Sequence, residues 1–143
     1  MGQEMSIEAA LKKIMTDDAD INALVGSKIF PIYVPQGKSL PAITYQEISG
    51  VRDSHMKGAS GLVQARFQIN CWCRTYKAAR ELADYIRIAL APEANDDYPK
   101  TVEGTYISAI MLLNENDVPS IRSDNEELSG YGKMLDFSVW FRE

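Results

Sequence analysis

Residues 62–73 carry the pattern that most restricts what this chain can fold into. Small or apolar side chains occupy every second position from residue 63 to residue 73. These are Val63, Ala65, Phe67, Ile69, Cys71 and Cys73, and the positions between them hold polar residues and Trp72. A period of two residues places all six on one face of a β-strand. The segment therefore predicts a strand with one buried and one polar face.

Three further segments predict strands. Residues 42–49 form one, 105–113 a second and 131–142 a third. The second should bury one side, formed by Ile107, Ala109, Met111 and Leu113. The third should bury Leu135, Phe137, Val139 and Phe141. Residues 28–35 are apolar but contain two prolines, which restrict them to an edge strand or an extended connector.

Helix signals stand at the start and in the middle of the chain. Ser6 is expected to cap a first helix ending near Asp17-Asp18, and Asp20 to cap a short apolar turn ending at Gly26. Thr75 opens the main helix, which ends before Pro92. Its apolar stripe recurs every three or four residues and consists of Tyr76, Ala79, Ala83, Ile86 and Leu90.

Two long polar segments, 50–61 and 114–130, separate these elements. The first is rich in glycine and serine and predicts a flexible loop or a hairpin arm. Loops of this length inside a domain are uncommon and often functional, although plain surface loops are equally compatible with the sequence.

The predicted order is α-β-β-α-β-β, which is typical of the α+β class. We expect a single domain over residues 1–143, with a mainly antiparallel twisted sheet of about four strands and helices packed on one face. A chain of 143 residues needs no metal or disulfide to hold such a domain together.

Charge and composition exclude several classes of function. The formal net charge of −5 argues against capture of a nucleic-acid backbone, so no specific nucleic acid is expected as a partner. No apolar run is long enough to cross a membrane. Cys71 and Cys73 are two residues apart, and with His55 as the single histidine they lack partners for a metal site. Buried reduced thiols are the favoured interpretation.

No catalytic motif is present. The sequence contains no nucleophile elbow, phosphate-binding glycine loop or paired-histidine zinc motif, and we expect neither an enzyme nor a cofactor. A cryptic hydrolase that pairs Cys71 or Cys73 with His55 is the alternative. Thiols on the apolar face of a strand are poorly reactive, however, and slow alkylation at neutral pH would end that idea.

Trp72 and Trp140 fall among the polar positions of their strands. A large aromatic side chain there should be covered either by a helix of the same chain or by a neighbouring subunit. Cover within the chain is the more common case.

Three stretches in their order and spacing resemble the small tail-completion proteins of long-tailed bacteriophages and prophages, which are related to head-to-tail joining and tail-terminator subunits. The stretches lie in residues 23–50, 61–83 and 135–143. They include Ala23-Leu24-Val25-Gly26, Leu40-Pro41-Ala42-Ile43-Thr44-Tyr45-Gln46, Ala65-Arg66-Phe67-Gln68-Ile69-Asn70-Cys71 and Leu135-Asp136-Phe137-Ser138-Val139-Trp140-Phe141-Arg142-Glu143.

The resemblance implies a structural virion subunit, made in the host cytoplasm, that forms a ring between the tail tube and the head connector. The ring is expected to be sixfold, and the partners are further copies of the chain, tail-tube proteins and head-connector proteins. The expected subunit contacts are Arg52, His55 and Lys57 in the 50–61 segment together with Trp72, Trp140 and Arg142. The alternative is a small host adaptor domain without a virion role.

Overall fold

The computed structural model describes residues 6–55, 58–92, 98–118 and 130–142, and within 51–62 it describes only the backbone. These parts of the chain form three helices and six strands. The helices are α1 (Ile7–Asp17), α2 (Ala19–Val25) and α3 (Tyr76–Leu90). The strands are β1 (Ile29–Pro31), β2 (Ala42–His55), β3 (Gly58–Cys73), β4 (Lys100–Val102), β5 (Thr105–Val118) and β6 (Tyr131–Arg142).

The six strands form one mixed sheet in the order β1-β2-β3-β6-β5-β4. β1 runs parallel to β2, and the other neighbours are antiparallel. The α+β class is confirmed. The count of about four strands and the order α-β-β-α-β-β are wrong, because β1 and β4 are three residues long and too short to show an alternating pattern.

The predicted helix ends follow from capping. The hydroxyl of Ser6 accepts the Ala9 N–H at 3.1 Å, and that of Thr75 accepts the Ala78 N–H at 3.1 Å, so both predicted caps are confirmed. The cap of α2 is Asp18 and not Asp20, because the Asp18 carboxylate accepts two backbone N–H groups at 3.0 Å. In the described residues no helix is long and apolar enough to span a bilayer.

The core lies between the helices and one face of the sheet, which we call the inner face. Phe67 of β3 and Phe137 of β6 face each other at its centre, both fully buried. All six alternating side chains of β3 and all four of β6 are buried, as predicted. In α3 the predicted stripe is buried except for Tyr76, which is exposed at the first turn.

β5 departs from simple alternation. A β-bulge between Ile107 and Ala109 adds one residue and reverses the side-chain phase as far as Leu112, and a second bulge between Leu112 and Asn114 reverses it again. Ile107 and Ile110 are therefore buried together, whereas Met111 is 57% exposed and Leu113 52% exposed. The predicted apolar side of Ile107, Ala109, Met111 and Leu113 is wrong for this reason.

The segment 50–61 is not a loop, since β2 and β3 continue through most of it as a hairpin. The loop prediction is wrong, and the alternative of a hairpin arm is confirmed. Backbone hydrogen bonds make this possible, because they do not require apolar side chains. Residues 114–118 of the second predicted loop also belong to a strand, β5, and residues 119–129 lie outside the described residues.

Candidate subunit interface

The sheet has a second face, directed away from the helices, which we call the outer face. Residues directly opposite each other on paired strands share a face, so the strand register defines its members. They are Ala42, Thr44, Gln46 and Ser49 of β2, Gln64, Arg66, Gln68, Asn70 and Trp72 of β3, Gly132, Met134, Asp136, Ser138, Trp140 and Arg142 of β6, and Ala109, Met111, Asn114, Asn116 and Val118 of β5. The composition is mainly that of a hydrogen-bonding surface.

An ion pair lies at the centre of the outer face. The Arg66 guanidinium donates to Asp136 Oδ2 at 2.7 Å, and the Asp136 side chain is only 3% exposed while that of Arg66 is 47% exposed. Asp136 Oδ1 is buried and has no hydrogen-bond partner among the described residues. Next to the pair, the Gln64 amide donates to the Ser138 hydroxyl at 3.2 Å. An ion pair and a hydrogen bond therefore hold the side chains at the centre of the outer face in place.

Trp72 is half-buried and is held by its own sheet. Its indole N–H donates to the Thr44 hydroxyl at 3.1 Å. Gly132 lies directly opposite on β6, and a Cβ atom there would come within 2.8 Å of the Trp72 ring. The missing side chain of Gly132 thus makes room for the indole. Among the described residues, the Trp72 side chain is therefore covered by the neighbouring strands β2 and β6 and not by a helix.

Trp140 lies in a different environment. It faces Gln64 on β3 and Ala109 on β5, with the exposed Met111 diagonally across. Two residues further along β6, on the same face, the Arg142 guanidinium lies 5.6 Å from the centre of the Tyr106 ring. We call the four outer residues of this group, Tyr106, Met111, Trp140 and Arg142, the β5–β6 patch.

The structure brings some of the predicted contact residues together and separates others. Trp140 and Arg142 share the β5–β6 patch. Trp72 lies eight positions away along β3 from the row of Trp140, a distance of about 26 Å at the usual strand rise. Arg52 and His55 belong to the hairpin arm, for which the structure describes only the backbone, and Lys57 lies outside the described residues.

Sequence reasoning missed Tyr106, Met111 and Leu113 as surface residues. The bulges in β5 hide Met111 and Leu113, because simple alternation places both with the buried Ile107. Tyr106 lies opposite to Ile107 in that alternation and was not singled out. The one available signal is the uninterrupted apolar run Ala109 to Leu113, which is too apolar for a strand with one exposed face.

A charged cluster anchors the far ends of β5 and β6 on the inner face. The Lys133 ammonium lies 2.9 Å from Asp117 Oδ1, and the Tyr76 hydroxyl donates to the same carboxylate at 3.2 Å. The hydrogen bond from Lys133 lowers the pKa of the Asp117 carboxyl, and the same bond raises the pKa of Lys133. The cluster joins the start of α3 to the strands that flank residues 119–129.

The cysteines do not form a catalytic pair with His55. Cys71 lies opposite Ile43 at one end of the β2–β3 hairpin, and His55 lies at the other end, more than about 30 Å away along the strands. Burial raises the pKa of both thiols, that of Cys73 to about 11. Both cysteines are free and buried, as predicted. No three His, Cys, Asp or Glu side chains of the described ranges are grouped closely enough to hold a metal ion.

Comparisons with known proteins agree with this geometry. One chain from a solved structure, the virion of a native gene transfer agent particle, has the same fold with a TM-score of 0.72. It is 18% identical in sequence, and the alignment covers 96% of each chain. Among curated protein sequences none matches. The sequence profile of the family described as Tail completion protein gp17 matches residues 9–142, nearly the whole chain. The chain therefore belongs to this family of tail completion proteins.

Proposed function

We propose that the chain is a ring-forming structural subunit that completes a phage tail and joins it to the head connector. Membership of the tail completion family over residues 9–142 is the observation that carries the proposal. Family membership also favours a virion component over a small host adaptor domain. In this proposal the chain acts as one domain, is made in the host cytoplasm and is incorporated into the virion.

A ring needs two different surfaces on each subunit, since each copy contacts the next in a head-to-tail manner. The β5–β6 patch supplies one candidate. The hairpin arm supplies the other candidate surface. β3 pairs with β6 as far as Leu62, opposite Arg142, and beyond that point the described backbone of β3 pairs only with β2. About five further residues project roughly 15 Å beyond that pair. The arm can therefore reach beyond its own sheet.

The charge distribution supports contact between copies. Arg52 and Lys57 against Asp53 give the 50–61 arm a formal charge of +1. Because the total is −5, the rest of the chain carries −6. The positively charged arm of one copy is therefore attracted to the negatively charged remainder of a neighbouring copy. The acidic body also disfavours a lasting grip on DNA that passes through the ring.

Deletion and complementation test this function. A phage or prophage that lacks the gene should release full heads and separate tails, and a plasmid copy should restore joined particles. Electron microscopy of the lysate gives the ratio of joined to separate structures. If particles join normally without the protein, the proposed function is wrong.

Trp140→Ala is predicted to lower the number of joined particles at least tenfold in the complementation assay. A desolvated tryptophan at an interface typically contributes about 2 kcal/mol or more, which exceeds the roughly 1.4 kcal/mol that corresponds to a tenfold change. The isolated protein should still melt cooperatively, since Trp140 lies on the outer face.

Trp72→Ala is the matched comparison. It removes the bond to Thr44 and uncovers Gly132, so its main effect should be a lower melting temperature. Ile88→Ala, at an exposed position on α3, serves as the control for an apolar surface residue outside the patch. Unfolding of both tryptophan variants would place the two side chains in the core and contradict the interface prediction.

A further inference from the structure

The two long edges of the sheet are each only partly covered. β5 pairs with β6 along its length, but β4 covers its other side at residues 105–107 only. On the opposite side of the sheet, β1 covers β2 at residues 43–45 only. Among the described residues, 108–118 of β5 and 46–55 of β2 therefore have no partner strand on one side. Backbone N–H and C=O groups along such an edge can pair with a further strand.

The first part of the uncovered edge of β5, residues 108–114, lacks protecting charges and proline. Edge strands normally carry charges or proline that prevent pairing with other chains. Residues 108–114 contain neither, and Met111 and Leu113 are more than half exposed. Two bulges bend the strand, but the apolar side chains remain in contact with water. On the β2 edge, Ile48 is likewise 42% exposed.

The two edges are complementary within one chain. They have nearly equal lengths, since 108–118 comprises 11 residues and 46–55 comprises 10. Four strands, β2, β3, β6 and β5, follow each other antiparallel, so β5 runs opposite to β2. A second copy placed beside the first in the same orientation would therefore present its β2 antiparallel to β5. The same contact can then repeat from copy to copy.

The short strands β1 and β4 fix how such a pair would align. Each covers the N-terminal end of its neighbour, β1 on β2 and β4 on β5. In an antiparallel pair these ends lie at opposite extremes of the contact. β1 of the second copy then lies beyond Val118, and β4 of the first lies beyond the end of β2. Sliding that draws the two N-terminal ends towards each other would bring both short strands against the pair, and sliding the other way would leave edge residues without a partner, so Ile48 aligns near Asn116.

We propose that β5 of one copy pairs with β2 of the next, so that the sheets of neighbouring subunits join edge to edge. This inference rests on the proposed ring and names the contact between its subunits. The pair gives partners to the backbone groups of both edges between their bulges and covers the exposed side chains of Ile48, Met111 and Leu113. It is a head-to-tail contact, and the rotation at each step determines whether the assembly closes.

Thiol cross-linking between copies tests the pairing. The single variants Ile48→Cys and Asn116→Cys would be mixed in equal amounts as full-length protein and treated with bismaleimidoethane. Because neighbouring strands lie about 4.8 Å apart, the mixture should give covalent dimers, and the double variant should give a ladder of oligomers. Both introduced thiols would replace exposed side chains, so folding should be unaffected.

The controls separate this inference from the proposed function. Wild-type protein should not cross-link, since Cys71 and Cys73 are buried. Ile48→Cys mixed with Ile88→Cys on α3 should give at least tenfold less dimer than the test pair. Rings in electron micrographs without enrichment of the test pair would overturn edge pairing and leave the ring intact. Absence of both rings and cross-links at every concentration would overturn the two proposals together.

Discussion

Replacing Phe137 with alanine should lower the free energy of unfolding by about 3–5 kcal/mol, the range found for large aromatic residues in protein cores. Phe137 is fully buried, and it lies directly opposite Phe67, which is also fully buried. The two rings occupy the centre of the core between α3 and the sheet. Little else can move in to fill the cavity, because paired strands hold the backbone on both sides. Urea or guanidinium unfolding measures the loss.

Two variants calibrate that measurement. Phe137→Leu keeps most of the apolar volume and should cost less than about 1.5 kcal/mol. Tyr106→Ala removes a ring from the exposed outer face and should change stability little. A loss below about 1 kcal/mol for Phe137→Ala would mean that the β3–β6 pair does not form the centre of the core.

Arg66→Met should destabilise the protein by about 2 kcal/mol. Removing one member of a buried ion pair costs about 3–5 kcal/mol, because the other charge stays buried alone. Here Asp136 is almost fully buried, but Arg66 is half exposed, so water reaches the pair and reduces the cost. Asp136 Oδ1 already lacks a partner among the described residues, which leaves the carboxylate dependent on Arg66.

Lys13→Met provides the matched control. Lys13 and Asp17 form an ion pair on α1 in which both side chains are about half exposed, and such pairs contribute less than about 1 kcal/mol. The double variant Arg66→Met with Asp136→Asn should recover part of the stability lost in Arg66→Met, since no buried charge remains. Equal losses for Arg66→Met and Lys13→Met would show that the Asp136 carboxylate is adequately solvated without Arg66.

The sequence predicted the parts of the fold in which one periodicity runs without interruption. β3 alternates from Val63 to Cys73 and β6 from Leu135 to Phe141, and both strands were placed within a few residues of their bounds. The caps at Ser6 and Thr75 were also predictable, because a hydroxyl at that position can accept one of the free backbone N–H groups in the first turn of a helix.

Features that depend on partner strands were predicted only as one of two alternatives or not at all. The bulges in β5 arise from its pairing with β6, and they reverse the exposure of Met111 and Leu113. The hairpin arm was predicted only as the alternative to a loop, because it is held by backbone hydrogen bonds between β2 and β3, which leave no periodic side-chain pattern in a glycine- and serine-rich segment. β1 is an edge strand inside residues 28–35, where an edge strand or a connector was predicted, whereas β4 is too short for any periodic signal and becomes a strand through β5.

Of the predicted contact residues, some were placed by the alternation of a strand and others depend on parts of the chain that alternation does not describe. Trp140 and Arg142 were placed on one surface by alternation alone, and the structure adds Tyr106 and Met111 to it. The two tryptophans do not form a common site, because eight strand positions separate their rows. Whether Arg52, His55 and Lys57 contact a neighbouring copy stays a prediction, since it depends on side chains of the hairpin arm.

The central claim is that the chain works by fitting against copies of itself and against other virion parts. Electron microscopy of the purified protein, alone at high concentration and mixed with isolated tail tubes, tests it most directly. We predict closed rings of uniform size in the first sample and rings seated on tube ends in the second. Single protomers under both conditions, with bare tube ends, would contradict the claim.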